Sequence, residues 1–258
     1  MPTDTWDPTQ YERFSDERSA PFFDLLALVG RSGGRVVDLG CGTGELTKVL
    51  HEHTRAAATL GIDSSEAMLA RSEIHSGDGL SFQLADIAVW TPAEPVEVLF
   101  SNAALHWVDD HYALFARLTS ALKPGGQLAV QMPANHDHAS HLVAERVAAE
   151  DPFRGALGGY VRHSPVLAPE SYALLLDRLG YEDQHVRVQV YMHNLEEPAG
   201  VVDWVKGTLL TDYKRRLPDE LYEDFVARYR ELLLAELGDR RPFPFTFKRV
   251  LLWGRLAE

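Results

Sequence analysis

The stretch VVDLGCGTGEL, Val36 to Leu46, carries the densest chemistry in this chain: an apolar run meets Asp38, then Gly40, Gly42 and Gly44 alternate before a helical pattern begins. Glycines without a Cβ let the backbone turn sharply from strand to helix and let a ligand lie directly against it, the shape of a nucleotide-type cofactor site. Asp38 at the strand end can accept hydrogen bonds from a cationic or hydroxylated ligand group, whereas beside a pyrophosphate it would repel. The dinucleotide fingerprint G-x-G-x-x-G is also not met, because the third glycine comes one residue early and Glu45 stands in its place. Cys41, the one cysteine of the chain, can form no internal disulfide and is expected to pack within the turn.

Two further carboxylates follow at strand ends. Asp63 closes LGID nineteen residues after Gly44, where a carboxylate can take both hydroxyls of a ribose. Ser64 lies beside it, Ser65 has the position of a helix N-cap, and Met68 can offer an apolar face to an adenine ring. Asp86 ends the third strand and can accept an adenine amino group while Ile87 packs on the ring; an aspartate that caps its own loop is the alternative reading. Asn102 and Ala103 end the fourth strand on the cofactor's far side. His106 and Trp107 then begin a wall that faces a second substrate. No metal site is expected.

The elements that must hold these residues alternate. Strands are expected at Arg35–Leu39, Thr59–Asp63, Leu80–Asp86, Val96–Asn102 and Gln127–Met132, with helices near Glu45–His53, Ser65–Arg71 and Asp110–Leu122. The LKPGG stretch predicts a helix stop and a tight turn into the fifth strand. Such alternation implies an α/β fold with a parallel sheet. The second half departs from it. Asp183–Met192 and Phe245–Leu256 read as two late strands, and the helical patterns Glu197–Leu209 and Pro218–Leu237 between them are too long for a hairpin loop. These predict a helical cap over the strand ends, joined by Ala134–Ala173. The expected organisation is a single domain over 1–258: a helical lid over 1–30, a core over 31–133, and cap segments over 134–181 and 194–244. An amphipathic helix is expected from Pro21 onward.

With 38 acidic and 25 basic residues the chain has a formal net charge of −13, and no long Lys/Arg cluster offers the basic face that phosphate-backbone binding requires. Nucleic acid is excluded as a partner on that ground, while a small anion remains admissible because a few cations can dominate a pocket. No run approaches the roughly 20 apolar residues of a membrane span, and Met1 to Ala20 lacks the apolar centre of a signal peptide. A cytoplasmic protein without membrane contact is expected.

The spacing D-x-G-x-G-x-G resembles motif I of the class I S-adenosylmethionine (SAM) dependent methyltransferases. Together, YERFSDERSAPFFDLL, VVDLGCGTG, GIDSSEAML, ADI, SNAALHWVDDHYALF, LKPGGQLAVQMP and DWVKGT are similar to the trans-aconitate 2-methyltransferase family within that class. The resemblance implies a Rossmann-like sheet, mostly parallel with an antiparallel last strand, and helical cap insertions. It implies SAM as cofactor, S-adenosylhomocysteine as product, and a small organic acid as acceptor. Arg18 would pair the cofactor's methionine carboxylate. Tyr11, His106, Trp107, Gln131, Asn135, Arg162 and Tyr213 would position the acceptor. His136, His138, His163, Lys206, Lys214, Arg215 and Arg216 are further residues of the cap that could meet an acid, although the KRR run also fits a solvated helix face.

Two departures stand out. Ala134 occupies the acidic position of the family's QMPDN, and Thr211 and Asp212 stand where an arginine and proline are usual, exchanging a cation for an anion. Arg162 or Lys214 are the candidates to replace that charge. Since a carboxylate is ionised at neutral pH and the sulfonium methyl is already electrophilic, transfer between them needs orientation and dry surroundings but no general base. The chain is also compatible with a SAM-dependent enzyme that methylates a hydroxyl or amine, and with a SAM-binding regulatory protein that turns nothing over. A hydroxyl acceptor would call for a base such as His106.

Overall fold

A computed structural model describes residues 15–258. Seven strands form one sheet in the order β3-β2-β1-β4-β5-β7-β6. In chain order they are β1 (Arg35–Leu39), β2 (Ala58–Asp63), β3 (Leu80–Leu84), β4 (Val96–Asn102), β5 (Leu122–Pro133), β6 (Tyr181–Leu195) and β7 (Phe243–Leu256). β1 to β5 are parallel, and β7 runs antiparallel to both β5 and β6. Val36, Val37 and Leu39 in β1 and Val98, Leu99 and Phe100 in β4 are all buried, as expected for strands covered on both faces. The sheet order reverses between β1 and β4, the kind of switch point outside whose carboxyl strand ends ligands bind in open α/β sheets.

Helices α1 (Ser15–Leu26), α2 (Glu45–Thr54), α3 (Glu66–Ser72) and α4 (His111–Ser120) accompany the parallel strands. α1 and α2 bury Phe22, Leu25 and Leu50 against Val36, Val98 and Phe100 on one face of the sheet. α4 buries Leu114, Phe115 and Leu118 against the other, together with Leu175 and Leu176 of α7 (Pro169–Arg178). A separate cluster unites α5 (Ala139–Ala148), α6 (Phe153–Ala156), α8 (Ala199–Lys206), α9 (Thr211–Arg216) and α10 (Asp219–Leu237) with Phe243, Phe245 and Phe247 at the start of β7. This second core is the helical cap. Of the segment 134–181, α7 therefore packs with the sheet, because Tyr172, Leu175 and Leu176 face the strands and not the cap helices.

Other boundaries differ for physical reasons. β3 ends at Leu84 and not at Asp86, since Asp86 folds back to bond the Ala88 amide and so leaves the ladder. Pairing in β5 starts at Leu122, opposite Val96, with a register irregularity between Val96 and Val98 that absorbs the KPGG residues. α1 runs through Pro21 instead of starting there. Among the described residues no helix is long and apolar enough to cross a membrane.

Candidate active site

The glycine turn is built as a cradle. Gly40 and Cys41 both donate their amides to the Ile62 carbonyl of β2, at 2.8 and 2.9 Å. Gly40 has φ +83, and a Cβ there would stand 2.2 Å from the Ala104 methyl, so only glycine fits. At Gly42, φ +55, a Cβ would meet no protein atom because the residue faces a cavity of about 600 Å³. Its amide donates to Asp63 Oδ2 at 2.9 Å while Ser65 N donates to Oδ1 at 2.9 Å. The Asp63 carboxylate is thus aimed by two backbone donors.

Nine residues expected at the cofactor line that cavity: Gly40, Gly42, Asp63, Ser64, Met68, Asp86, Ile87, Asn102 and Ala103. Ser65 caps α3, accepting from Met68 N at 3.2 Å, which fixes Met68 in the wall. The Asn102 side-chain oxygen Oδ1 is buried without a hydrogen-bond partner, and Ala103 is held at φ +56 with its amide on the Gln131 carbonyl at 2.9 Å. An orphaned acceptor, a carboxylate at the end of β2 and another in the loop after β3, an apolar floor of Met68 and Ile87, and a glycine wall open to the cavity together fit a cofactor with amino, ribose and adenine groups.

Asp38 and Gly44 lie elsewhere. Asp38 is buried and accepts from Thr47 Oγ1 at 2.6 Å, tying the end of β1 to α2; burial, and then the Asp63 charge, push its carboxyl up to about 7 against the Thr47 hydrogen bond. Neither residue lines the cavity. Gly44 precedes α2 at φ +81, where a Cβ would overlap Phe82 and Ser72. Its need is packing. Asp38 and Gly44 therefore support the cradle from behind.

The opposite wall of the cavity comes from the turn after β4 and from the cap. His111 anchors the turn: its Nε2 donates to the Leu105 carbonyl at 3.1 Å, leaving Nδ1 to accept the Tyr172 hydroxyl. That places His106 and Trp107, rings 4.8 Å apart, in the lining. The Arg162 guanidinium lies 4.7 Å over the Trp107 ring and bonds Asp212 through Nε at 3.1 Å. His163, Arg215 and Arg216 also line this side, the last stacked 3.6 Å over the Tyr160 ring. Burial holds the His106 imidazole well below its usual range, and the nearby Arg162 and Arg249 charges push the same way. His106 is neutral at pH 7, its Nδ1 buried and unpartnered.

The remaining acceptor candidates are placed differently. Gln131 is fully buried, its Oε1 3.3 Å from Arg249 Nη1, and Asn135 Oδ1 accepts from Lys248 N at 3.1 Å. Neither lines the cavity, though each has a buried amide nitrogen without a partner. Tyr213, expected at the acceptor, is a core residue of the cap, stacked on Phe225 at 4.7 Å with its hydroxyl accepting from Arg162 N at 3.4 Å, and it is not among the residues that line the cavity. Lys214, Lys206 and His136 are exposed, and His138 caps α5. Tyr11 and the side chain of Arg18 lie outside the described residues. The sequence did not point to Arg249: it sits within a strand pattern, and only the β5–β7 pairing brings it beside Gln131.

A family model for a methyltransferase domain matches residues 11–186. A trans-aconitate 2-methyltransferase of Deinococcus radiodurans is 45% identical, covering 98% of this chain and 99% of the relative. Another, of Methylobacterium nodulans, is 41% identical over 94% and 96%. The chain belongs to the trans-aconitate 2-methyltransferase family. It is a SAM-dependent methyltransferase, and the fold agrees. A SAM-dependent methyltransferase of Mesorhizobium loti superposes with a TM-score of 0.51 at 24% identity, covering 92% of this chain and 97% of that one. A putative methyltransferase of Bacillus halodurans gives 0.55 at 16%, over 95% and 100%. The methyltransferase thus has the mostly parallel sheet with an antiparallel strand that the resemblance implies.

Proposed function

We propose that this methyltransferase transfers the methyl group of SAM to a carboxylate oxygen of trans-aconitate or a closely similar small acid, giving a methyl ester and S-adenosylhomocysteine. The observation that carries the reading is the charge of the wall opposite the glycine cradle, where Arg162, Arg215 and Arg216 face the cofactor residues across one cavity. The names of the full-length relatives support the same acceptor.

SAM supplies an electrophilic methyl on a sulfonium. Asp63 holds the ribose hydroxyls, the Asp86 and Ile87 pair holds the adenine, and Asn102 and Ala103 face the methionine end. The turn after β4 and the cap supply the acceptor wall, in which Arg162 takes a carboxylate while its guanidinium lies over the Trp107 ring. His106, held neutral, offers a hydrogen bond without adding a titrating charge, and its depressed basicity makes it a poor base for a hydroxyl acceptor. Orientation and exclusion of water lower the barrier, a kind of contribution that reaches ~7–11 kcal/mol in well-positioned systems. The net charge of −13 supports a small acceptor over a nucleic acid, and a cytoplasmic location goes with this reading.

The test is mass-spectrometric identification of the product after incubation with SAM and a panel of acids, alcohols, phenols and amines. Methyl-ester formation on trans-aconitate or a related di- or tricarboxylic acid is expected. Methylation of a phenol or amine with every acid inert would remove the reading.

A further inference from the structure

Resting on the carboxylate-acceptor reading, we propose that Asp212 is a built-in competitor for Arg162 that selects the charge of the acceptor: a side chain of the cap occupies the guanidinium that an acceptor carboxylate must take over. Both residues line the cavity. Their side chains are only 15% and 19% exposed, with Asp212 Oδ2 at 3.1 Å from Arg162 Nε, so their attraction is screened less than that of a surface pair.

The pair is not required to hold Arg162 in place. The guanidinium is already stacked over Trp107 at 4.7 Å, and the Arg162 backbone is tied down separately by its amide on the Tyr213 hydroxyl at 3.4 Å. Asp212 also has a second cation within reach. Arg215 Nη1, one turn further along α9, lies 4.0 Å from Asp212 Oδ1, so a small rotation of the Asp212 side chain moves it from one guanidinium to the other. Arrival of an acceptor carboxylate at Arg162 then costs the Arg162–Asp212 ion pair, offset in part by the strengthening of the Arg215–Asp212 pair. The Asp212 charge nevertheless stays beside the bound acid and repels each further carboxylate it carries. A monocarboxylate is affected least and a tricarboxylate most.

The experiment uses the full-length protein saturated with S-adenosylhomocysteine, which has no methyl to transfer, and measures calorimetric affinities for propane-1,2,3-tricarboxylate, glutarate and butyrate. Asp212→Asn should tighten the tricarboxylate about tenfold, the dicarboxylate about threefold and the monocarboxylate less than about twofold, with the cofactor product bound as before. Adding Arg162→Gln to that variant should abolish the gain, and raised salt should shrink it. Asp212→Ser removes the same charge and should reproduce the ordering if the asparagine variant folds poorly. An equal loss for all three acids would show that Asp212 only positions Arg162, and no change would show that its charge is not sensed; either result overturns the proposal. If the graded gain appears while no acid is methylated by wild type or variant, the competitor stands and the proposed acceptor falls.

Discussion

The two walls of the cavity are made differently. The wall proposed for the cofactor is backbone-built: the Gly42 and Ser65 amides aim Asp63, the Ile62 carbonyl holds Gly40 and Cys41, and the Gln131 carbonyl holds Ala103. The cap wall is built from long side chains that hold one another, Arg162 between Trp107 and Asp212 and Arg216 over Tyr160. Backbone donors have no rotamer freedom to lose, so the first wall is set before any ligand arrives; the second can exchange partners. On the proposed assignment, a fixed cofactor site facing an adjustable acceptor site would allow one cradle to serve different acceptors by changes in the cap alone.

The largest effect expected is on the fixed wall. Gly40→Ala drives a methyl to 2.2 Å from Ala104 in a φ +83 conformation and should cost more than about 3 kcal/mol of stability or abolish S-adenosylhomocysteine binding, read by thermal melting and calorimetry. Asp63→Ala should weaken that binding by ~2–4 kcal/mol, since it leaves ribose hydroxyls and two backbone amides without their acceptor. Unchanged affinity would place the ribose elsewhere. Arg162→Gln should act on the other wall alone, raising acceptor KM by about 10- to 100-fold with cofactor affinity within about twofold. A parallel loss of cofactor affinity would break the division between the walls.

The smallest effect expected is on stability against pH, and its sign separates the walls. Folded His141, in the cap, is pushed by burial and by Arg162 down to about 3, so between there and 6.5 the unfolded chain binds the extra proton and stability falls on acidification. Asp38, behind the cofactor wall, is raised to about 7. From its ordinary value of 3.8 upward the folded chain keeps the proton longer, and stability falls as pH rises. Relative to wild type, His141→Asn should therefore gain stability as pH drops below 6.5, and Asp38→Asn as pH rises from 4 to 7, each by at most about 1.4 kcal/mol per pH unit. Denaturant unfolding of the ligand-free protein at several pH values reads both slopes, and slopes of one sign would contradict the assignment.

The same difference decides what was legible in the sequence. A backbone-built wall needs residues at fixed spacing along the chain, so Gly40, Gly42, Asp63, Asp86 and Asn102 can be read from a local pattern of strand, turn and helix. Asp38 and Gly44 belong to that pattern, but their side of it faces inward, to Thr47 and Phe82, and periodicity does not separate a ligand contact from the residue that props it. The cap wall is assembled from segments far apart: Arg162, Asp212 and Trp107 are brought together by tertiary packing, and Arg249 reaches Gln131 only through the antiparallel register of β5 with β7. Tyr213 shows the limit, since its neighbours Asp212, Arg215 and Arg216 line the cavity while the helix turns its ring into the cap core.

The most direct measurement is a crystal structure of the enzyme with S-adenosylhomocysteine and trans-aconitate bound together. The two-wall account predicts the ribose on Asp63 and an acceptor carboxylate on Arg162, with Asp212 turned toward Arg215. An acid bound away from the cap wall, with the Arg162–Asp212 pair intact, would contradict it.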